Sequence, residues 1–134
     1  MKAQGKQLAF EFDESLDLPM WVQLRNRISY LIGTGFFQPG EKLPTVRKVA
    51  ADLRIAYNTV SKAYMGLERD GYVKTVRGSG VYVREKEGEG DRGARVGSLV
   101  EEFINSCLKE GVALEDVPKL VSKSVNEMGR DRDR

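Results

Sequence analysis

The sequence predicts a mainly α-helical chain with one small β-hairpin. Three observations predict it. Five stretches place apolar residues at the 3.6-residue helical period. The second and third of these stretches are separated only by "RIAY". Directly after the third come two short β-branched and aromatic runs, "YVKTV" and "VYV", on either side of "RGSG".

Residues 1–9 read as loose, and "AFEFD" alternates enough for a short extended piece that puts Phe10 and Phe12 on one face against the domain. The first helix runs from about Pro19 to Gly33. Proline suits its first position because the missing N–H needs no partner there, and Asp17 is placed to support the first turn. Trp21, Leu24, Ile28, Leu31 and Ile32 form its apolar face, and Gly33 and Gly35 end it. "FQPGEKLP" is a turn, with Gly40 free to take a positive φ. Thr45 caps the second helix, which turns Val46, Val49, Ala50 and Leu53 inward. The third helix begins near Asn58, another capping residue, and repeats Val60, Ala63, Tyr64 and Leu67 at i, i+3, i+4 and i+7 up to Gly71. Ala50, Ala51 and Ala63 allow close approach. Two helices joined by so short a turn cross at a large angle, as a helix-turn-helix does. Tyr72 and Val73 open one strand, Val81–Val83 form the other, and "RGSG" is the tip.

After Val83 the composition shifts. Residues 85–94 are charged, glycine-containing and nearly free of apolar groups, which reads as a linker between a domain of residues 10–84 and a helical region of residues 95–129. In that region Val96, Leu99, Val100, Phe103, Ile104 and Leu108 make one helical stripe, ended by Gly111. Leu114, Val117, Leu120, Val121, Val125 and Met128 make another, with Pro118 confined to the first turn. Residues 130–134 read as a disordered tail. Two helices are too little to enclose a private core, so their stripes need a partner, and the same stripes on a second copy supply one.

Composition narrows the function. The net charge of the 134-residue chain is only +2, but residues 42–77 hold eight Lys/Arg against three Asp/Glu, a local +5. Residues 1–41 carry −1 and residues 78–134 carry −2. A concentrated basic segment is the footprint of a polyanion partner, or else a solvated basic face. There is no histidine for general base work and one cysteine, Cys107, which excludes an internal disulfide and argues against a zinc site and against catalysis. "GSG" lacks the Gly-Lys-Ser/Thr continuation of a phosphate loop. No cofactor is expected. No signal peptide or membrane-length apolar run is visible, so a cytoplasmic protein is expected.

A helix-turn-helix sets its second helix in the major groove of double-stranded DNA, with the helix start nearest the base edges. Here that start offers Tyr57, Asn58, Thr59, Ser61 and Lys62. Asn58 pairs with adenine or serves as a cap; Thr59 and Ser61 bond base edges or solvate the first turn; Lys62 takes a phosphate or stays in solvent. Arg47 and the weaker Lys48 stand in the first turn of the preceding helix, where a guanidinium grips phosphate, reaches a base, or remains solvated, and Lys42 just before that helix is weaker still. Arg77, with Gly78, Ser79 and Gly80, forms a hairpin tip suited to a minor groove. The outer face of "NTVSKAYMGLERDG" shows no exposed apolar patch of the kind a protein-docking surface needs. A protein-interaction module and a DNA binder without sequence preference remain the alternatives.

Three runs together, "GFFQPGEKLPTVR", "NTVSKAYMGLERDG" and "RGSGVYV", resemble the GntR family of bacterial transcription regulators, in particular its small YtrA-like branch. The similarity covers Pro19 to Val83, about half the chain. It implies a winged helix-turn-helix followed by a two-helix dimerisation appendage. It also implies a homodimer on a roughly palindromic operator, most simply as a repressor, with DNA contacts at Arg47, at Tyr57, Asn58, Thr59 and Ser61, and at Arg77 and Gly78. A groove between subunits is the place left for a small effector, which no residue set identifies.

Overall fold

The computed structural model describes residues 6–84 and 92–132, and the chain divides into a unit of Met1–Arg95 and a unit of Val96–Arg134. In the first unit three helices, α1 (Met20–Gly33), α2 (Val46–Leu53) and α3 (Tyr57–Arg69), precede a hairpin of β1 (Val73–Val76) and β2 (Gly80–Val83). The strands pair antiparallel, Val73 opposite Val83 and Val76 opposite Gly80. α4 spans Arg92–Lys109, and the second unit holds it from Val96 on, together with α5 (Val117–Arg132) and a 3-10 turn at Leu114–Asp116 between them.

The inward stripes read from the sequence build the core. Leu24, Ile28 and Leu31 of α1 meet Val49 of α2 and Val60, Ala63, Tyr64 and Leu67 of α3. Phe37, Leu43, Tyr72, Val73 and Val83 fill the space between the helices and the hairpin. Each fully buried Val, Leu, Ile or Phe side chain among them contributes roughly 1.5–3 kcal/mol. Ala51 is exposed and makes no close approach. The tight α1–α3 contact is made by Gly66 instead, where an added Cβ would stand 2.9 Å from Arg25 Cδ and 3.4 Å from the Trp21 ring.

Several local expectations are corrected. Pro19 is the N-cap of α1 rather than its first residue, and Asp17 does not support the helix: it sits at φ 56, closing a 3-10 turn over Glu14–Leu16. The buried Gln23 holds that turn, accepting from the Asp13 N–H at 3.0 Å and donating to the carbonyls of Asp13 and Leu18. This reversal lets Leu8 and Phe10 pack on the core without forming a strand and leaves Phe12 exposed. Thr45 caps α2 as expected, accepting from the Lys48 N–H at 3.0 Å. Asn58 does not cap α3. Ala56 is the N-cap, its carbonyl accepting from Thr59 at 3.0 Å, and Asn58 lies exposed within the first turn.

"EKL", expected as turn, is a third strand-like segment. The Leu43 N–H donates to the Val81 carbonyl at 2.8 Å, the Val83 N–H donates to the Glu41 carbonyl at 2.9 Å, and Lys42 stands opposite Tyr82. Gly80 belongs to β2, so the tip is Arg77–Ser79. α4 begins at Arg92, inside the stretch read as linker, while residues 85–91 of that linker lie outside the described residues. α5 runs through Arg132 rather than ending at 129. Arg130 and Arg132 occupy its last turn, where positive charge is favoured by the helix dipole. Residues 133–134 lie outside the described residues. Leu114 is in the 3-10 turn and not on α5. Among the described residues no helix is long and apolar enough to cross a membrane.

Candidate nucleic-acid interface

A part-buried side-chain hydrogen bond helps to fix the α2–α3 corner. The Tyr64 hydroxyl donates to the Pro44 carbonyl at 2.6 Å, joining the middle of α3 to the residue before the α2 cap. Burial pushes the Tyr64 phenol up from its ordinary value, so it stays a donor at any working pH. Tyr64→Phe leaves that carbonyl without its donor and is expected to cost about 1 kcal/mol, read as a lower urea midpoint.

From this corner Arg47 and Lys48 project as exposed residues of the first turn of α2. They are not equivalent. Lys48 Nζ pairs with Asp52 Oδ2 at 2.9 Å, one turn along, whereas Arg47 has no ion pair among the described residues. On α3, Tyr57, Asn58 and Lys62 are exposed and Thr59 and Ser61 half-buried. The Lys62 ammonium stands 5.7 Å from the centre of the Trp21 ring, and the Arg25 guanidinium lies 5.5 Å from the same ring. The sequence reading found no apolar residue on this outer face. Met65 corrects it, 64% exposed one turn beyond Lys62.

The tip carries Arg77, Gly78 and Ser79, all exposed. Gly78 has φ 79 and nothing within 4 Å of the place a Cβ would take, so backbone conformation alone requires glycine. The Ser79 N–H closes the turn on the Val76 carbonyl at 2.9 Å, and its hydroxyl is hydrogen-bonded to that of Tyr82. The hairpin is tied to α3 by Glu68, whose carboxylate accepts from the Thr75 hydroxyl at 3.1 Å and its N–H at 3.4 Å. Glu68 thus has a positioning role that the sequence did not reveal.

These contacts sort the charges of residues 42–77. The acidic groups are engaged: Asp52 with Lys48, Glu68 with Thr75, and Asp70 with Arg25 at 3.9 Å and Arg69 at 3.5 Å. Lys42, Arg47, Arg54, Lys62, Lys74 and Arg77 have no carboxylate partner among the described residues. Such cations, in a segment whose own acidic groups are engaged, suit a polyanion. No group of His, Cys, Asp and Glu among the described residues could hold a metal ion.

In the second unit the stripe read from the sequence lies mostly in solvent. Leu99 is 63% exposed and Val125 58%; Val100, Phe103, Leu108, Leu120 and Val121 are exposed as well. Val96 and Ile104 are half-buried, and Val117 is buried.

Residues 22–83 match the GntR family of bacterial regulatory proteins. The chain is 40% identical over 75 residues to the HTH-type transcriptional repressor YtrA of Bacillus subtilis, covering 56% of this chain and 58% of that protein, less than two thirds of its length. It is 30% identical over 101 residues to the uncharacterized HTH-type transcriptional regulator YhcF of the same organism, covering 74% of this chain and 84% of that one. A GntR family transcriptional regulator from Listeria monocytogenes, of solved structure, shares 32% identity with a TM-score of 0.56 and covers 84% of this chain and 98% of that chain.

Proposed function

The chain belongs to the GntR family, close to its YtrA-like branch; from that premise we propose that it is a DNA-binding transcriptional regulator rather than an enzyme, acting as a cytoplasmic homodimeric repressor of a palindromic operator. Each protomer sets α3 in the major groove of one half-site, with Tyr57, Asn58, Thr59 and Ser61 toward the bases. Arg47, Lys48 and Lys62 take phosphates, and the Arg77–Ser79 tip lies on the adjacent minor groove. The apolar stripes of α4 and α5 pair with those of a second copy, and a dimer seated on a promoter excludes polymerase. The observation that carries this reading is the set of cations on α2, α3 and the wing without carboxylate partners, beside acidic groups already engaged. Asn58, relieved of capping, is available to a base.

A titration of labelled duplex tests it. If the dimer grips six to ten phosphates, affinity falls roughly 10³- to 10⁵-fold between 50 and 200 mM salt. Lys62→Ala is expected to weaken binding to all duplexes alike and to lower the salt slope by about 1 per protomer, about 2 for the dimer. The single Trp21 beside Lys62 reports the encounter by a change in fluorescence. Affinity indifferent to salt would point to a protein-docking surface, and equal affinity for operator and random duplex to a binder without sequence preference.

A further inference from the structure

Residues Glu41–Leu43 form the unannounced edge of the wing, and the middle residue of the three is a lysine. We propose that Lys42 is a phosphate-binding residue of the wing and that Gly80 is the gap in which its side chain lies; the proposal rests on duplex DNA being the partner.

The backbone of Lys42 is fixed on both sides, by the Leu43 N–H on the Val81 carbonyl and the Val83 N–H on the Glu41 carbonyl. Its side chain then crosses β2. A Cβ on Gly80 would stand 2.6 Å from Lys42 Cε, 3.6 Å from Cδ and 3.5 Å from Nζ. The aliphatic stem is therefore laid over the strand, and the ammonium rests beside the first residue after the tip. Gly80 has φ 147, a conformation L side chains rarely adopt, so the backbone calls for glycine there, and the Lys42 stem lies in the space a Cβ would take. A lysine laid down in this way loses less conformational freedom on meeting an anion than one swinging in solvent.

The neighbouring charges leave the ammonium available. Glu41, next in sequence, is taken by Lys6 at 3.1 Å and by the Gln38 N–H at 2.9 Å. Among the described residues no carboxylate pairs with Lys42. Across the sheet Lys42 and Lys74 both stand opposite Tyr82, on its two sides, so the register puts two cations in one row. A point charge with three donors suits a phosphate oxygen and reads no base, so Lys42 contributes affinity and not sequence preference.

Lys42→Met keeps the stem and removes the charge. It is expected to weaken every duplex alike, to reduce the slope of log affinity on log salt by about 0.9 per protomer and so about 1.8 for the dimer, and to shrink the dimer's loss between 50 and 200 mM salt by about 12-fold. Lys42→Arg restores the slope. A Lys42→Met slope equal to that of the unaltered chain overturns the proposal. Acetylation footprinting of the unaltered chain is a second reading that needs no variant: duplex is expected to protect both Lys42 and Lys62. Protection of Lys62 with unchanged labelling of Lys42 overturns the role of Lys42 alone; protection of neither overturns the DNA reading as well.

Discussion

Arg47→Ala lowers operator affinity by roughly 10- to 100-fold per protomer and leaves the fold intact, because charge-assisted hydrogen bonds of a guanidinium contribute about 1.5–3 kcal/mol. Arg47 is exposed in the first turn of α2, whose cap at Thr45 and anchor through Tyr64 do not involve its side chain. Its loss therefore costs little stability. Lys48, one residue on, shares its charge with Asp52, so Lys48→Ala has the smaller effect. Arg47→Lys recovers part of the affinity, since it keeps the charge and loses the two-pronged geometry. An anisotropy titration that finds Arg47→Ala equal to the unaltered chain contradicts the role given to α2.

Phe103→Asp separates the protomers and lowers operator affinity by roughly 10²- to 10⁴-fold, the range over which linking two half-site contacts raises avidity. Phe103 lies on α4 between Leu99 and Leu108 along an exposed apolar face, and it takes no part in the core of the first unit. Buried against a second copy, it would be replaced by a carboxylate with no partner there. The domain of α1–α3 and the wing stays folded, so a single half-site is still bound weakly. Light scattering at a concentration where the unaltered chain is dimeric reads the first effect, and duplex titration the second. A monomeric unaltered chain, or a dimeric Phe103→Asp, contradicts the assignment.

What was legible in the sequence was what repeats. Leu24, Ile28 and Leu31, then Val60, Ala63, Tyr64 and Leu67, announce their helices by period, and burial follows the period. "RGSG" announces a tip because glycine there has a conformational cause. Three-residue "EKL" is too short for alternation to register, so the third wing segment stayed hidden, and Lys42 stood out only as a cation weaker than Arg47 and Lys48. The signal was nonetheless present: Leu43 is buried and Lys42 exposed, one step of a strand period. Phe37 belongs to no period, and only the packing of the whole unit buries it. Asn58 misled because its type prefers caps, while the helix begins one residue earlier on a backbone bond at Ala56. No period marks the role of Glu68, because its grip on Thr75 depends on where the hairpin returns. The exposed stripes of α4 and α5 were legible as amphipathic helices, and their exposure in one chain agrees with the need for a partner.

The most direct test is selection of bound sequences from a random duplex pool with the unaltered chain. Two copies presenting α3 to successive major grooves enrich an inverted repeat, with half-sites centred about one helical turn apart, ~34–36 Å, or slightly more. An enriched motif without inverted symmetry, or a bound pool indistinguishable from the input, contradicts recognition of a palindromic operator by a homodimer.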